Sequence, residues 1–199
     1  KSRAVQSLNK SMTKLQKITN LRKNKVTTIL SGIMLGVYLF VSIFAFMNDI
    51  NGITALVMFG AYTKPMVSLA HEWWRIITPM FLHADILHLL MNLLAFKNIA
   101  TIVEPELGWK RYLLVMISGV IFGTGFTFIQ GAHVIAVGAS AGIYALLGVL
   151  LVMMYERELF KNKLVLRQVM SILSINLLLS IMPGVSFIGH LGGFYIGIF

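Results

Sequence analysis

The sequence predicts an all-α fold: a polytopic membrane helix bundle with six transmembrane helices, the sixth truncated. Three observations predict it. Of the 199 residues, 57% are apolar and 12% charged, against about 25% charged in an ordinary soluble domain. Apolar runs recur along the chain, most of them near the ~20 residues that a helix needs to cross a bilayer. The cations are crowded into one set of the loops between those runs, as membrane topology requires.

Taken in order, residues 1–25 carry eight of the seventeen basic residues and no acid. Val5, Leu8, Met12 and Leu15 recur at helical spacing between Lys10, Lys14 and Lys17. This reads either as an amphipathic helix on an anionic membrane surface or as a solvated basic linker. The net charge of +10 also raises nucleic acid as a partner. The segment lacks the aromatic residues that stack bases, so lipid is the better reading and no nucleic-acid partner is expected.

Residues 26–199 form the membrane domain. Apolar runs cover 26–46, 86–103, 112–130, 137–155 and 165–182, and a sixth starts at Ser186. The first is too long for a signal-peptide core and is read as a retained anchor. The sixth stops after fourteen residues, too short at about 1.5 Å each to span roughly 30 Å of hydrocarbon. A chain that opens on Lys1 and stops there is expected to be a segment of a longer protein.

With a cytoplasmic amino terminus, fifteen of the seventeen cations fall on the inner side, leaving Lys64 and Arg75 outside. That orientation satisfies the positive-inside bias, and the reverse one violates it. Residues 47–80 then form a long outer loop rich in apolar side chains. Trp73 and Trp74 beside Arg75 suit the membrane interface, where amphipathic rings settle. Packing on the helix ends is the alternative.

The chemistry lies in polar residues inside the apolar runs, where an unpaired hydroxyl, amide or imidazole costs roughly 2–7 kcal/mol. His88, Ser140 and His190 each lie two to four residues past the outer start of a run, and so at one depth in the outer third of the bilayer. Gly138, Ala139, Ala141, Gly142, Ala145 and Gly148 surround Ser140, and Gly193 and Gly197 follow His190. Small residues of this kind let helices approach closely, which would bring imidazole to serine. Helix packing alone also accounts for such small residues. No strand is read before Ser140, unlike the strand-to-helix elbow of soluble hydrolases.

His88 and Asn92, four apart, share a helix face and both can donate hydrogen bonds, either to a developing oxyanion or in a polar clasp between helices. His83 is about 140° round a helix from His88 and is assigned to a different contact. Asp85 is read as a helix cap, so a Ser-His dyad is expected rather than a triad. The chain has no cysteine, which excludes disulfides and thiolate metal sites. A histidine metal site formed by His83, His88 and His190 lacks HExxH and any carboxylate on a shared face, so no metal and no cofactor is expected.

Trp74-Arg75, then His83, His88 and Asn92, then Gly138 to Gly142 with Tyr144, then His190 followed by Gly193 and Gly197 together resemble the rhomboid family of intramembrane serine proteases. The resemblance covers residues 74–197. It implies a serine endopeptidase with Ser140 as nucleophile and His190 as general base. His88, Asn92 and the Ser140 backbone amide would form the oxyanion hole, and Tyr144 would pack on the imidazole. Transmembrane protein substrates, cut near the outer face of the cell membrane, are implied likewise. Ala141 departs from the glycine that the family commonly carries after the serine, which bears on local packing. A non-catalytic scaffold that binds membrane helices is the competing reading, opposed by the presence of both dyad residues.

Overall fold

The computed structural model describes residues 24–131, 133–180 and 186–199. The basic segment, apart from Asn24 and Lys25, lies outside them, and so does the question of its amphipathic helix. The described chain is mostly helical: α1 (Lys25–Met47), α2 (Gly52–Met58), α3 (Lys64–Ser68), α4 (Ile86–Thr127), α5 (Ser140–Glu156), α6 (Lys163–Ser180) and α7 (Phe187–Ile198). Two two-residue strands, β1 (Tyr62–Thr63) and β2 (Ile135–Ala136), pair antiparallel.

Among the described helices, α1 and α4 are long and apolar enough to cross a membrane, while α5 and α7 are apolar but shorter. Large apolar side chains point outward from them, including Ile29, Phe40, Phe46, Leu90, Leu94, Leu114 and Leu191. A water-soluble surface does not carry that much exposed hydrocarbon. The chain is therefore a membrane protein built as a helix bundle.

Helix α4 is two arms rather than one rod. At Gly108 the backbone takes φ 72° and ψ 157°, a left-handed excursion that suits glycine. Phe96 and Tyr112 stack with centroids 6.2 Å apart. Sixteen residues of straight helix would hold them about 24 Å apart, so the chain doubles back. The arms, 86–107 and 109–127, correspond to the second and third apolar runs.

The turn between the arms anchors α1. Glu104 is buried and its carboxylate accepts from the Val26 amide at 2.8 Å, the Thr27 amide at 3.0 Å and the Thr27 hydroxyl at 2.6 Å. The Tyr112 hydroxyl lies 2.8 Å from that of Thr27. The first amides of a helix have no partner within it and carry its positive dipole end. A carboxylate supplied by another helix satisfies both needs. Glu104→Ala leaves buried amides unpaired, at about 3 kcal/mol in all. The expected result is a melting midpoint in detergent lowered by roughly 6 °C or more.

The outer loop is folded, not draped. Asn51 and Thr63 cap α2 and α3 through their side-chain oxygens, and 3₁₀ turns follow at Trp73–Ile76 and Thr78–Phe81. Arg75 follows the packing alternative, unlike the indoles beside it. Both indoles are exposed, but Arg75 is buried. It pairs with Glu72 and its Nη1 donates to the carbonyls of Val57 at 2.6 Å and Ala61 at 3.0 Å. The carbonyl of Val57 at the end of α2 and that of Ala61 in the turn after it take a donor each, and a guanidinium supplies several at once.

The main core joins both arms of α4 to α5 through Leu89, Phe96, Ile99, Tyr112, Met116, Ile143, Leu146 and Leu147, all buried. Glycine lets the backbones touch. A Cβ at Gly119 would lie 2.4 Å from that of Ala145, and one at Gly142 would lie 2.8 Å from the Met116 carbonyl oxygen. Helices α4, α5 and α7 thus form a tightly packed trio at the centre.

Candidate active site

Ser140 is the first residue of α5, not the fourth of a span that begins at Val137. The approach to it also corrects the reading that no strand precedes it. Strand β2 does, pairing Ala136 with Tyr62 and Ile135 with Thr63. Two residues are too few to show alternation, and the strand exists only through a distant partner. Between strand and helix, Gly138 takes φ +111° and its amide donates to the Pro79 carbonyl at 2.8 Å. Ser140 therefore stands on a turn at a helix amino terminus, where first-turn amides lack intrahelical acceptors and the dipole favours negative charge.

Asp85 caps the first arm of α4, its Oδ1 accepting from the His88 amide at 2.8 Å. That sets the helix phase for His88 and Asn92. Both face Gly138: a Cβ there would meet the His88 Nε2 at 2.8 Å and the Asn92 Nδ2 at 3.7 Å. The missing side chain lets the turn press against these two polar groups. Asn92 spends one amide hydrogen on the His88 carbonyl at 3.0 Å and keeps a second.

His83 does not belong to a separate contact, as its angular distance from His88 had implied. The helix starts at Ile86, so the angle does not apply. The buried His83 ring meets His88 edge-on with centroids 5.2 Å apart.

On α7, Ser186 caps the helix by accepting from the Gly189 amide at 3.1 Å, and His190 follows in the first turn, buried. Its Nε2 lies 2.7 Å from Ser140 Oγ. Neutral imidazole has one acceptor nitrogen. With Nε2 in that role, the serine hydroxyl donates to it. Tyr144, one turn past Ser140, stacks on the imidazole at 4.4 Å between centroids and 10° between planes.

Glycines hold α7 at that distance. A Cβ on Gly193 would fall 2.0 Å from the Ala141 carbonyl oxygen, and one on Gly197 1.9 Å from that of Ala145. Ala141 itself fills the space against Gly123, where a Cβ would lie 2.5 Å from its own. The alanine after the serine is accommodated by a glycine across from it.

A cavity of about 280 Å³ opens beside Ser140 and His190. Part of its wall was missed in the sequence: Thr124, Thr127, Gln130 and Ser186. The hydroxyl of Ser186 donates to Gln130 Oε1 at 3.1 Å. The available signal was the polar residues in the third apolar run and at the start of the sixth, which no motif singled out. Among the described residues, no three His, Cys, Asp or Glu side chains converge to hold a metal ion. Ser140, His190, His88, Asn92, Gly138, Tyr144 and His83 come together here, whereas Arg75 braces the outer loop and Trp74 faces outward.

The sequence profile of the Rhomboid domain matches residues 70–199. Rhomboid protease GluP of Bacillus subtilis is 33% identical over 187 residues, which cover 89% of this chain and 36% of that protein. RHOMBOID-like protein 1 of Arabidopsis thaliana is 36% identical over 155 residues, 75% of this chain and 40% of that one. Rhomboid-type serine protease 2 of Emericella nidulans is 34% identical over 134 residues, 64% of this chain and 26% of that one. The chain thus spans about two-fifths or less of the length of these relatives.

Proposed function

The chain belongs to the rhomboid family, and from that premise we propose that it is an intramembrane serine endopeptidase working through a Ser140–His190 dyad. The observation that carries the reading is the 2.7 Å approach of His190 Nε2 to Ser140 Oγ at the start of a helix and inside an apolar bundle. Ser140 Oγ attacks the substrate carbonyl carbon while its proton passes to Nε2. The tetrahedral oxyanion receives hydrogen bonds from the Ser140 amide, His88 and the spare amide hydrogen of Asn92. Each such donor is worth about 3 kcal/mol in the transition state.

The intermediate collapses, the C–N bond breaks, and His190 gives its proton to the leaving amine. Water then attacks the acyl-enzyme with His190 again as base, releasing the acid and restoring serine. Water reaches this point through the cavity, whose threonine, glutamine and serine groups supply hydrogen bonds beside those of His88 and the dyad.

The substrates in this reading are transmembrane protein segments. A helical peptide carbonyl is already hydrogen-bonded and must be unwound before attack. In this reading six helices cross the membrane, the amino terminus is cytoplasmic and the site lies near the outer face; the segregation of the cations supports that orientation. The cations of residues 1–25 then stand on the side of the inner-leaflet headgroups, and anionic lipid is the partner that their charge favours.

A fluorophosphonate tests the reading directly. Intact protein in detergent is expected to gain one phosphonyl adduct, located on Ser140 by peptide mass spectrometry and insensitive to chelators. His190→Ala is expected to suppress it by on the order of 100-fold or more. An adduct elsewhere, or one that persists without His190, overturns the dyad.

A further inference from the structure

Tyr144 does more than stack. Its hydroxyl donates to the backbone carbonyl of Asn176 on α6 at 2.5 Å, while the face of the same ring lies parallel to His190. Asn176 is buried, and its own amide group donates to the Ile172 carbonyl at 2.8 Å within α6. A helical carbonyl has a second lone pair, so it accepts the phenol without giving up its place in the helix ladder.

We propose that the Tyr144 hydroxyl is a positioning group, tying the ring that orients the catalytic imidazole to the main chain of α6. The proposal rests on the dyad reading above and adds α6 to the two helices that carry the dyad. Parallel stacking restrains the tilt of an imidazole but tolerates sliding of one ring over the other. A hydrogen bond at the far end of the phenol removes that freedom, because the bond weakens steeply once the donor angle opens. With its Cβ held by α5 and its hydroxyl by α6, the ring is fixed at both ends. His190 is thereby registered against two helices besides its own. A displacement of α6 releases the ring, and the imidazole loses its alignment on Ser140 although neither dyad residue has lost a contact with the other's helix.

The test uses the intact chain in liposomes, with a cleavable transmembrane substrate and the fluorophosphonate as separate probes. Tyr144→Phe keeps the stacked ring and removes the hydroxyl that donates to α6. Well below the melting midpoint, kcat and the phosphonylation rate of Ser140 are expected to fall together, by about ten-fold, with KM unchanged. Para-aminophenylalanine at position 144, which restores an N–H at the same place, is expected to recover most of the loss. A phenyl variant that labels and cleaves within two-fold of the parent overturns the proposal, and so does failure of the amino analogue to rescue. A purely structural bond would lower the melting midpoint and leave kcat alone, which also overturns it. Absence of labelling in the unmodified chain is a different failure, that of the dyad itself.

Discussion

Ser140→Ala is expected to reduce cleavage of a transmembrane substrate by on the order of 10⁴-fold or more, the loss known for removing the nucleophile of a serine protease. The bundle should survive the change. Alanine is a good helix former at the first position of α5, and the lost atom faces a cavity rather than packed side chains. The hydrogen bond lost, that to His190 Nε2, can be replaced by water in the cavity. The measurement is quantitative cleavage in liposomes beside a melting curve. An unchanged midpoint with abolished cleavage assigns the serine to chemistry. Undiminished cleavage by the folded variant refutes the proposed mechanism.

The second large effect comes from residues with no polar atom in the side chain. Valine at Gly193 or Gly197 places a Cβ about 2 Å from a carbonyl oxygen of α5, where a side-chain carbon is essentially never found. The obstacle is backbone, so no rotamer change relieves it, and α7 must move off α5 by roughly 1 Å. His190 moves with it. A misplacement of that size costs on the order of 100-fold in rate, and the overpacking itself costs about 1–3 kcal/mol of stability. Both variants are therefore expected to lose activity and to melt early. Gly125→Ala supplies the contrast: nothing lies within 4 Å of a Cβ there, and no loss is expected. Equal tolerance of all three substitutions by cleavage and melting assays contradicts the close approach of the helices.

Much of this was legible before any coordinates, for a local reason. An apolar run declares a membrane helix, and a serine or histidine inside one marks a candidate site, because leaving it there unpaired is costly. Asp85 as a cap, the break between the second and third runs, and the pairing of His190 with Ser140 all follow from energies that act on residues near in sequence or at matched depth. Gly193 and Gly197 belong with these, since small residues spaced one turn apart announce a close helix contact.

What the folded chain alone decided depends on partners far away along it. Glu104 caps a helix that begins 79 residues earlier. Arg75 turns inward because α2 offers carbonyls, His83 reaches His88 from a loop rather than a helix face, and β2 forms only against Tyr62 and Thr63. The bond from Tyr144 to Asn176 crosses 32 residues. None of these leaves a periodic trace, because each depends on a chain closure whose entropy is recovered only when the whole bundle packs.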